Sequence, residues 1–135
     1  GNAKTVRNDN SSRFGKYIKL LYDETFRLVG ARTEHFLLEK SRLVHLEEGE
    51  RTYHILYQVA KALPAGQKKG LFLTGPAECF SLLSHGNCLE ASDIVDDHEE
   101  FKAVDEALSS LRFSVDEKAD MWRLLAAILH SGEVR

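Results

Sequence analysis

Residues Asn8 to Arg13 read Asn-Asp-Asn-Ser-Ser-Arg, and their side chains suit contact with a metal-bound triphosphate. Asn amides donate to phosphate oxygens, a Ser hydroxyl is a hard oxygen ligand for Mg²⁺, and an Arg fork can pair with a carboxylate through two parallel hydrogen bonds. The candidates for that chemistry are Asn8, Ser11, Ser12 and Arg13. By residue type alone the commoner meaning of such a run is a solvated turn, because Asn, Asp and Ser satisfy their own backbone in loops. The stretch is therefore expected to be a loop.

Elements on the C-terminal side must hold that loop in place. Phe14 to Tyr22 is rich in aromatic and branched residues, with Ile18, Leu20 and Tyr22 on one side and Tyr17, Lys19 and Leu21 on the other, which predicts a strand. Asp23-Glu24-Thr25 then turns the chain into a second strand over Phe26 to Leu37, in which Gly30 permits a bulge. An isolated two-stranded ribbon is marginal in water, so this hairpin is expected to join a larger sheet outside the chain.

After Leu38 the periodicity becomes helical. A short turn over Glu39 to Leu43 precedes a helix from about Thr52 to Leu63, where Tyr53, Leu56, Tyr57, Ala60 and Leu63 share a face and Pro64 ends it. Shorter pieces follow between Ala65 and Ser92, including a helix near Ala77 to Leu83 and a Ser-His-Gly-Asn turn. Asp97 with Glu100 resembles a capping box opening a helix that carries Phe101, Val104, Leu108 and Leu111 on one face. Ser114 with Glu117 repeats the device for a last helix, Val115 to His130, with Met121, Leu124, Leu125 and Ile128 inward and Gly132 as the stop.

Composition closes off several other functions. The 135 residues are 43% hydrophobic and 29% charged with a net charge of −3, which describes a soluble, cytosolic domain without the basic field that nucleic-acid binding needs. No apolar run approaches the roughly 20 residues that cross a bilayer. Cys79 and Cys88 match no zinc spacing and are read as reduced thiols. The histidines His35, His45, His54, His85, His98 and His130 lack the i, i+4 pairing of a helical zinc site. The acidic group Asp93, Asp96, Asp97, Glu99 and Glu100 lacks the order of a calcium loop, and helix capping accounts for it better. Trp122 is assigned to packing. The chain opens at Gly1 with no initiator Met, so it is expected to be an excerpt.

The literal strings carry further than the residue types. Asn2-Ala-Lys-Thr5 followed by Arg7-Asn-Asp-Asn-Ser-Ser-Arg-Phe-Gly-Lys16 closely resembles switch I of the myosin motor. The resemblance continues through Phe36-Leu-Leu-Glu-Lys-Ser-Arg42, Glu50-Arg-Thr-Tyr-His-Ile-Leu-Tyr-Gln58 and Ala127-Ile-Leu-His130, in the family's order, and covers essentially the whole chain. Kinesins share a Ser-Ser-Arg but follow it with Ser-His where this chain has Phe14-Gly15. Two departures stand out: Arg112 occupies a place where a Gly is usual, and Ser131-Gly-Glu-Val replaces the commoner Leu-Gly-Asn-Ile/Val.

What the resemblance implies is an α+β, mostly helical piece of a P-loop NTPase motor core. Residues 1–16 would be the switch I loop, residues 14–38 the hairpin, and residues 39–135 a helical segment of the upper 50-kDa region. Asn8 would contact the phosphates of ATP, Ser12 would ligate Mg²⁺, Ser11 would lie beside the γ-phosphate and the attacking water, and Arg13 would pair with a switch II glutamate. That glutamate is absent from the sequence, as is a Gly-x-x-x-x-Gly-Lys-Ser/Thr loop. The implied activity is an actin-based motor ATPase of the cytoplasm and cytoskeleton, acting with actin filaments and the remainder of the head. The rival reading is a non-catalytic helical binding module from a truncated or degenerate myosin.

Overall fold

A computed structural model describes residues 1–92 and 95–134. Strands β1 (Asn2–Thr5) and β2 (Asn8–Ser12) form one antiparallel hairpin, and β3 (Gly15–Tyr22) and β4 (Leu28–Phe36) form a second. Helices α1 (His54–Ala62), α2 (Ala65–Gly70), α3 (Ser81–Ser84), α4 (Asp97–Ser110) and α5 (Val115–Ser131) follow, with 3₁₀ turns at Lys40–Leu43 and Ala77–Cys79.

The stretch expected to be a loop is thus strand β2. Its Asn and Ser residues are poor strand formers, and tertiary context overrides them. Ala3 on β1 is fully buried and bridges antiparallel to Tyr53, while the Arg51 amide donates to the Lys4 carbonyl at 3.1 Å. With β1 anchored on one edge by the segment ahead of α1, its other edge offers a ladder to β2. The register passes from Ala3↔Ser11 to Thr5↔Asn8, so β2 holds one extra residue opposite Lys4, a bulge.

The second hairpin keeps its expected bounds to within two residues, and Val29, beside Gly30, is the unpaired residue where Leu21↔Gly30 gives way to Tyr22↔Leu28. Asp23 closes its turn by accepting from the Thr25 and Arg27 amides at 2.8 and 3.0 Å. Tyr17, Ile18, Leu20, Leu21, Tyr22, Leu28 and Val29 are all exposed. Apolar residues thus lie on both faces, the pattern of strands covered on two sides.

The core lies among the helices. Leu56, Tyr57, Val59 and Ala60 of α1 and Leu63 just after it pack with Leu73, Leu83, Phe101, Trp122, Ala126 and Leu129, each large aliphatic contributing about 1.5–3 kcal/mol on burial. The Trp122 ring packs tilted against Phe101, with ring centroids 5.1 Å apart, as its assignment to packing required. The expected faces are narrower than periodicity suggests: Leu111 and Leu124 are exposed. The expected helix from Ala77 to Leu83 is broken at Phe80, whose φ of −92° and ψ of 115° are extended. Pro64 ends α1 and then precedes α2.

The helix ends are specified locally. Ser114 and Glu117 form the expected capping box. Gly132 sits at φ −67°, a conformation open to any residue, so it is no left-handed stop. The left-handed stop is at the end of α4, where the Phe113 amide donates to Leu108 O at 3.0 Å and the Arg112 amide to Ser109 O at 2.9 Å. That pair of bonds is a Schellman motif, which places Arg112 at the position that favours glycine, and its φ is +66°. A non-glycine residue there costs roughly 1–2 kcal/mol, offset in part by glycine's chain entropy. Arg112→Gly should therefore stabilise the chain by about 0.5–1 kcal/mol. Thermal unfolding reads this as a rise in Tm of roughly 2–5 °C, and a lower Tm would mean that the Arg112 side chain contributes more than its backbone costs.

Candidate functional site

The first hairpin carries the four candidate residues on two faces. Asn2 on β1 joins two β2 side chains: its Nδ2 donates to Asn10 Oδ1 at 2.9 Å, and its Oδ1 accepts from Ser12 Oγ at 3.3 Å. Ser12 is exposed, so its hydroxyl remains open to a further ligand. Ser11 is half-buried, and its hydroxyl accepts from Arg13 Nη1 at 3.2 Å. Adjacent residues of a strand point oppositely, and the structure accordingly pairs Ser12 with the Asn cluster and Ser11 with Arg13. Asn8 stands beyond the bulge at the tight turn, where its amide donates to Thr5 Oγ1 at 3.2 Å and its Oδ1 accepts from the Asn10 amide at 2.9 Å.

Arg13 does not wait unpaired for a partner outside the chain. Its Nε and Nη2 donate to the two carboxylate oxygens of Glu39 at 2.7 and 3.0 Å, a bidentate clamp. Glu39 Oε2 also takes Arg42 Nε at 2.5 Å, and Arg42 Nη1 reaches Glu50 Oε2 at 3.0 Å. Cations and carboxylates therefore alternate from Arg13 through Glu39 and Arg42 to Glu50. The hydrogen bonds from Arg13 and then Arg42 pull the Glu39 carboxyl down to about 2. Glu39 is the site residue that reading the sequence missed. The signal was there, since it is the lone carboxylate of the Phe36 to Arg42 string, but its contact with Arg13 spans 26 positions.

Behind β1 lies a second, buried charge cluster. Arg51 is fully buried and its Nη2 donates to both oxygens of Asp97 at 2.8 and 3.1 Å. Lys61 Nζ donates to Asp97 Oδ2 at 2.8 Å, and the Arg51 guanidinium lies 3.8 Å over the Tyr57 ring. The expected capping role of Asp97 is thus corrected. Asp96 is the N-cap, accepting from the His98 amide at 2.9 Å, and Asp97 is turned inward as the one carboxylate partner of Arg51 among the described residues. Glu99 and Glu100 stay in the first turn of α4, where a negative charge complements the helix dipole. Asp93, the other member of that acidic group, lies outside the described residues.

His54 completes this layer. Among the described residues its Nδ1 is buried without a hydrogen-bond partner, and burial first, then the charge of Arg51, push the imidazole down to about 4, against the opposing pull of Asp97. An unfolded His titrates near 6.5. Between these values the unfolded chain binds more protons than the folded one, so stability is whole above 6.5 and falls as pH drops toward 4. Glu39 acts lower, its contribution being present above 4.5 and lost toward 2. Denaturant midpoints across the upper window should therefore fall with acid, and His54→Gln should flatten that slope. An unaltered slope in the variant would acquit His54.

Cys79 and Cys88 are both free thiols. Among the described residues, no helix is long and apolar enough to cross a membrane. For Mg²⁺, the exposed hydroxyl of Ser12 is a fitting hard-oxygen donor, one of the six an octahedral shell requires.

Comparison with known proteins places these features in a wider set. The family model described as myosin head (motor domain) matches residues 1–135. Myosin-51 of Schizosaccharomyces pombe is 47% identical over 134 residues, covering 99% of this chain and 9% of that protein. Myosin IE heavy chain of Dictyostelium discoideum is 42% identical over 134 residues, with 99% and 13% covered. Myosin-3 of Arabidopsis thaliana is 46% identical, with 99% and 11% covered. The chain spans about a tenth of the length of these curated relatives.

Proposed function

Since the chain belongs to the myosin head (motor domain) family, we propose that its first hairpin is the γ-phosphate-sensing switch of an actin-based motor ATPase. In this reading Asn8 contacts the phosphates of ATP, and Ser12 contributes one oxygen to Mg²⁺. Ser11 faces the γ-phosphate and the attacking water, and Arg13 closes the site. Ser12 would hold Mg²⁺, which when bound would supply charge neutralisation to the phosphates. The chain's own residues orient that assembly.

The observation that carries the reading is the exposed Ser12 hydroxyl, held in place by Asn2 at 3.3 Å and flanked by the Arg13 clamp. A solvated turn has no need of a strand register or of a bidentate ion pair at its end. The exposed apolar faces of β3 and β4 support the same reading, since such strands suit the interior of a larger sheet completed by the rest of the head. A cytoplasmic, cytoskeletal setting with actin filaments as the partner follows from the same assignment. The 135-residue sequence has no phosphate-binding Gly-Lys loop, so the chain by itself should turn over no ATP.

Ser12→Ala in a complete motor head carrying this chain tests the assignment. Losing one oxygen from the shell should weaken Mg²⁺ binding by at least the ~10–100-fold that even outer partners of metal ligands contribute, and single-turnover hydrolysis should slow with it. Unchanged hydrolysis and Mg²⁺ dependence would remove Ser12 from the ligand set.

A further inference from the structure

Glu39 is held by two arginines that stand on different parts of the chain. Its Oε2 accepts from Arg13 Nε at 2.7 Å and from Arg42 Nε at 2.5 Å, and its Oε1 accepts from Arg13 Nη2 at 3.0 Å. Arg13 directly follows β2, the strand that carries Ser11 and Ser12. Arg42 belongs to the 3₁₀ turn Lys40–Leu43 and is 6% exposed. Its Nη1 is anchored elsewhere, on Glu50 Oε2 at 3.0 Å, the Arg51 carbonyl at 3.2 Å and the Lys4 carbonyl at 3.4 Å. The Glu39 carbonyl accepts in turn from the Tyr53 hydroxyl at 2.6 Å. None of these anchors involves Arg13, so Arg42 and Glu39 keep their places when the Arg13 side chain changes partner. Such a swing leaves even the backbone bond from the Glu39 amide to the Arg13 carbonyl, at 3.0 Å, intact.

Resting on the closure role proposed for Arg13, we propose that Arg42 is a positioning residue for the hydrolytic step, keeping Glu39 paired when Arg13 swings to the second-switch glutamate. In the resting arrangement Glu39 lies between two cations, and in the closed one each arginine has a carboxylate. No carboxylate is stranded in either. Without Arg42, closure would take from Glu39 the one arginine it had left, and an ionised acceptor that loses its partner without a substitute opposes the change.

A double-mutant cycle on Arg42 and Glu39 tests this in a complete motor head carrying this chain. ATP affinity and single-turnover hydrolysis are measured separately, with circular dichroism verifying the fold. Arg42→Gln should slow hydrolysis by roughly 10–100-fold, the scale of one hydrogen bond to a charged group, at unchanged ATP affinity. Adding Glu39→Gln should recover most of that loss, because no carboxylate is left to strand. Its gain in the Arg42→Gln background should exceed its effect in the parent head by at least ~10-fold. A merely structural Arg42 gives the reverse, since Glu39→Gln then removes one more contact. Arg42→Lys keeps the charge without the fork, so its loss should be smaller and recovered in the same way, which keeps the cycle decisive if Arg42→Gln fails to fold. Arg13→Glu in the same head is the reference. If it slows hydrolysis while the Arg42 variants do not, or if Glu39→Gln acts equally in both backgrounds, the retaining role of Arg42 is overturned and the closure role of Arg13 stands. If Arg13→Glu leaves hydrolysis unchanged, the closure role falls and the retaining role with it.

Discussion

In a complete head, Arg13→Glu should leave ATP bound while slowing the hydrolytic step by roughly 10²–10³, the scale of removing one preorganised electrostatic group. An Arg fork suits a carboxylate better than a lone phosphate oxygen, and in the structure both of its arms are on Glu39, at 2.7 and 3.0 Å. Site closure would then require Arg13 to exchange Glu39 for a glutamate of the second switch, a change between two discrete pairings. Glu at this position repels both carboxylates, so neither the open nor the closed pairing forms. Two charge swaps separate the steps. Installing Arg at the closing glutamate in the Arg13→Glu background should recover part of the hydrolysis, as coupled residues do. Glu39→Arg in the same background should restore only the local ribbon. Loss of ATP affinity in proportion to loss of hydrolysis, with no rescue by either swap, would make Arg13 a direct phosphate ligand instead.

Asp97→Asn should destabilise the chain by roughly 3–5 kcal/mol, the cost of stranding a buried charge. The substitution keeps the shape of the side chain and removes the charge that answers Arg51. Arg51 has no exposure, and among the described residues its Nε and Nη1 already lack partners, so none of those residues stands ready to take over. Lys61 escapes more easily, because its ammonium also reaches Glu90 at 2.8 Å and the Leu89 carbonyl at 2.8 Å. The expected loss is a large share of the roughly 5–15 kcal/mol that holds a domain together. Denaturant unfolding should show a lower midpoint at unchanged slope. Replacing Arg51 by Met in the Asp97→Asn background should recover part of the loss, because no buried cation remains. A loss under about 1 kcal/mol would show that water reaches Arg51 and that the pair behaves as a surface one.

Local rules decided much of this chain before any folding. The second hairpin, the α1 face ended by Pro64 and the Ser114–Glu117 capping box were legible because each rests on neighbours within a few positions, through period-two or period-3.6 patterning or a fixed backbone angle. The candidate residues were legible too, but through a literal string and not through their chemistry, which fits an ordinary turn as well. What the sequence could not decide were contacts whose partners lie far apart along the chain. Asn8 to Ser12 became a strand because β1, fixed by Ala3 against Tyr53, offers an open edge, and neither Asn nor Ser propensity contains that information. Asp96 and Asp97 are adjacent carboxylates with equal claims to the helix cap, and only the placement of Arg51, 46 positions away, draws Asp97 inward and leaves the cap to Asp96. Glu39 was visible as a residue but not as the clamp on Arg13. Long-range electrostatic pairing depends on which buried cation has no other answer, and that is known only once the core has closed around it.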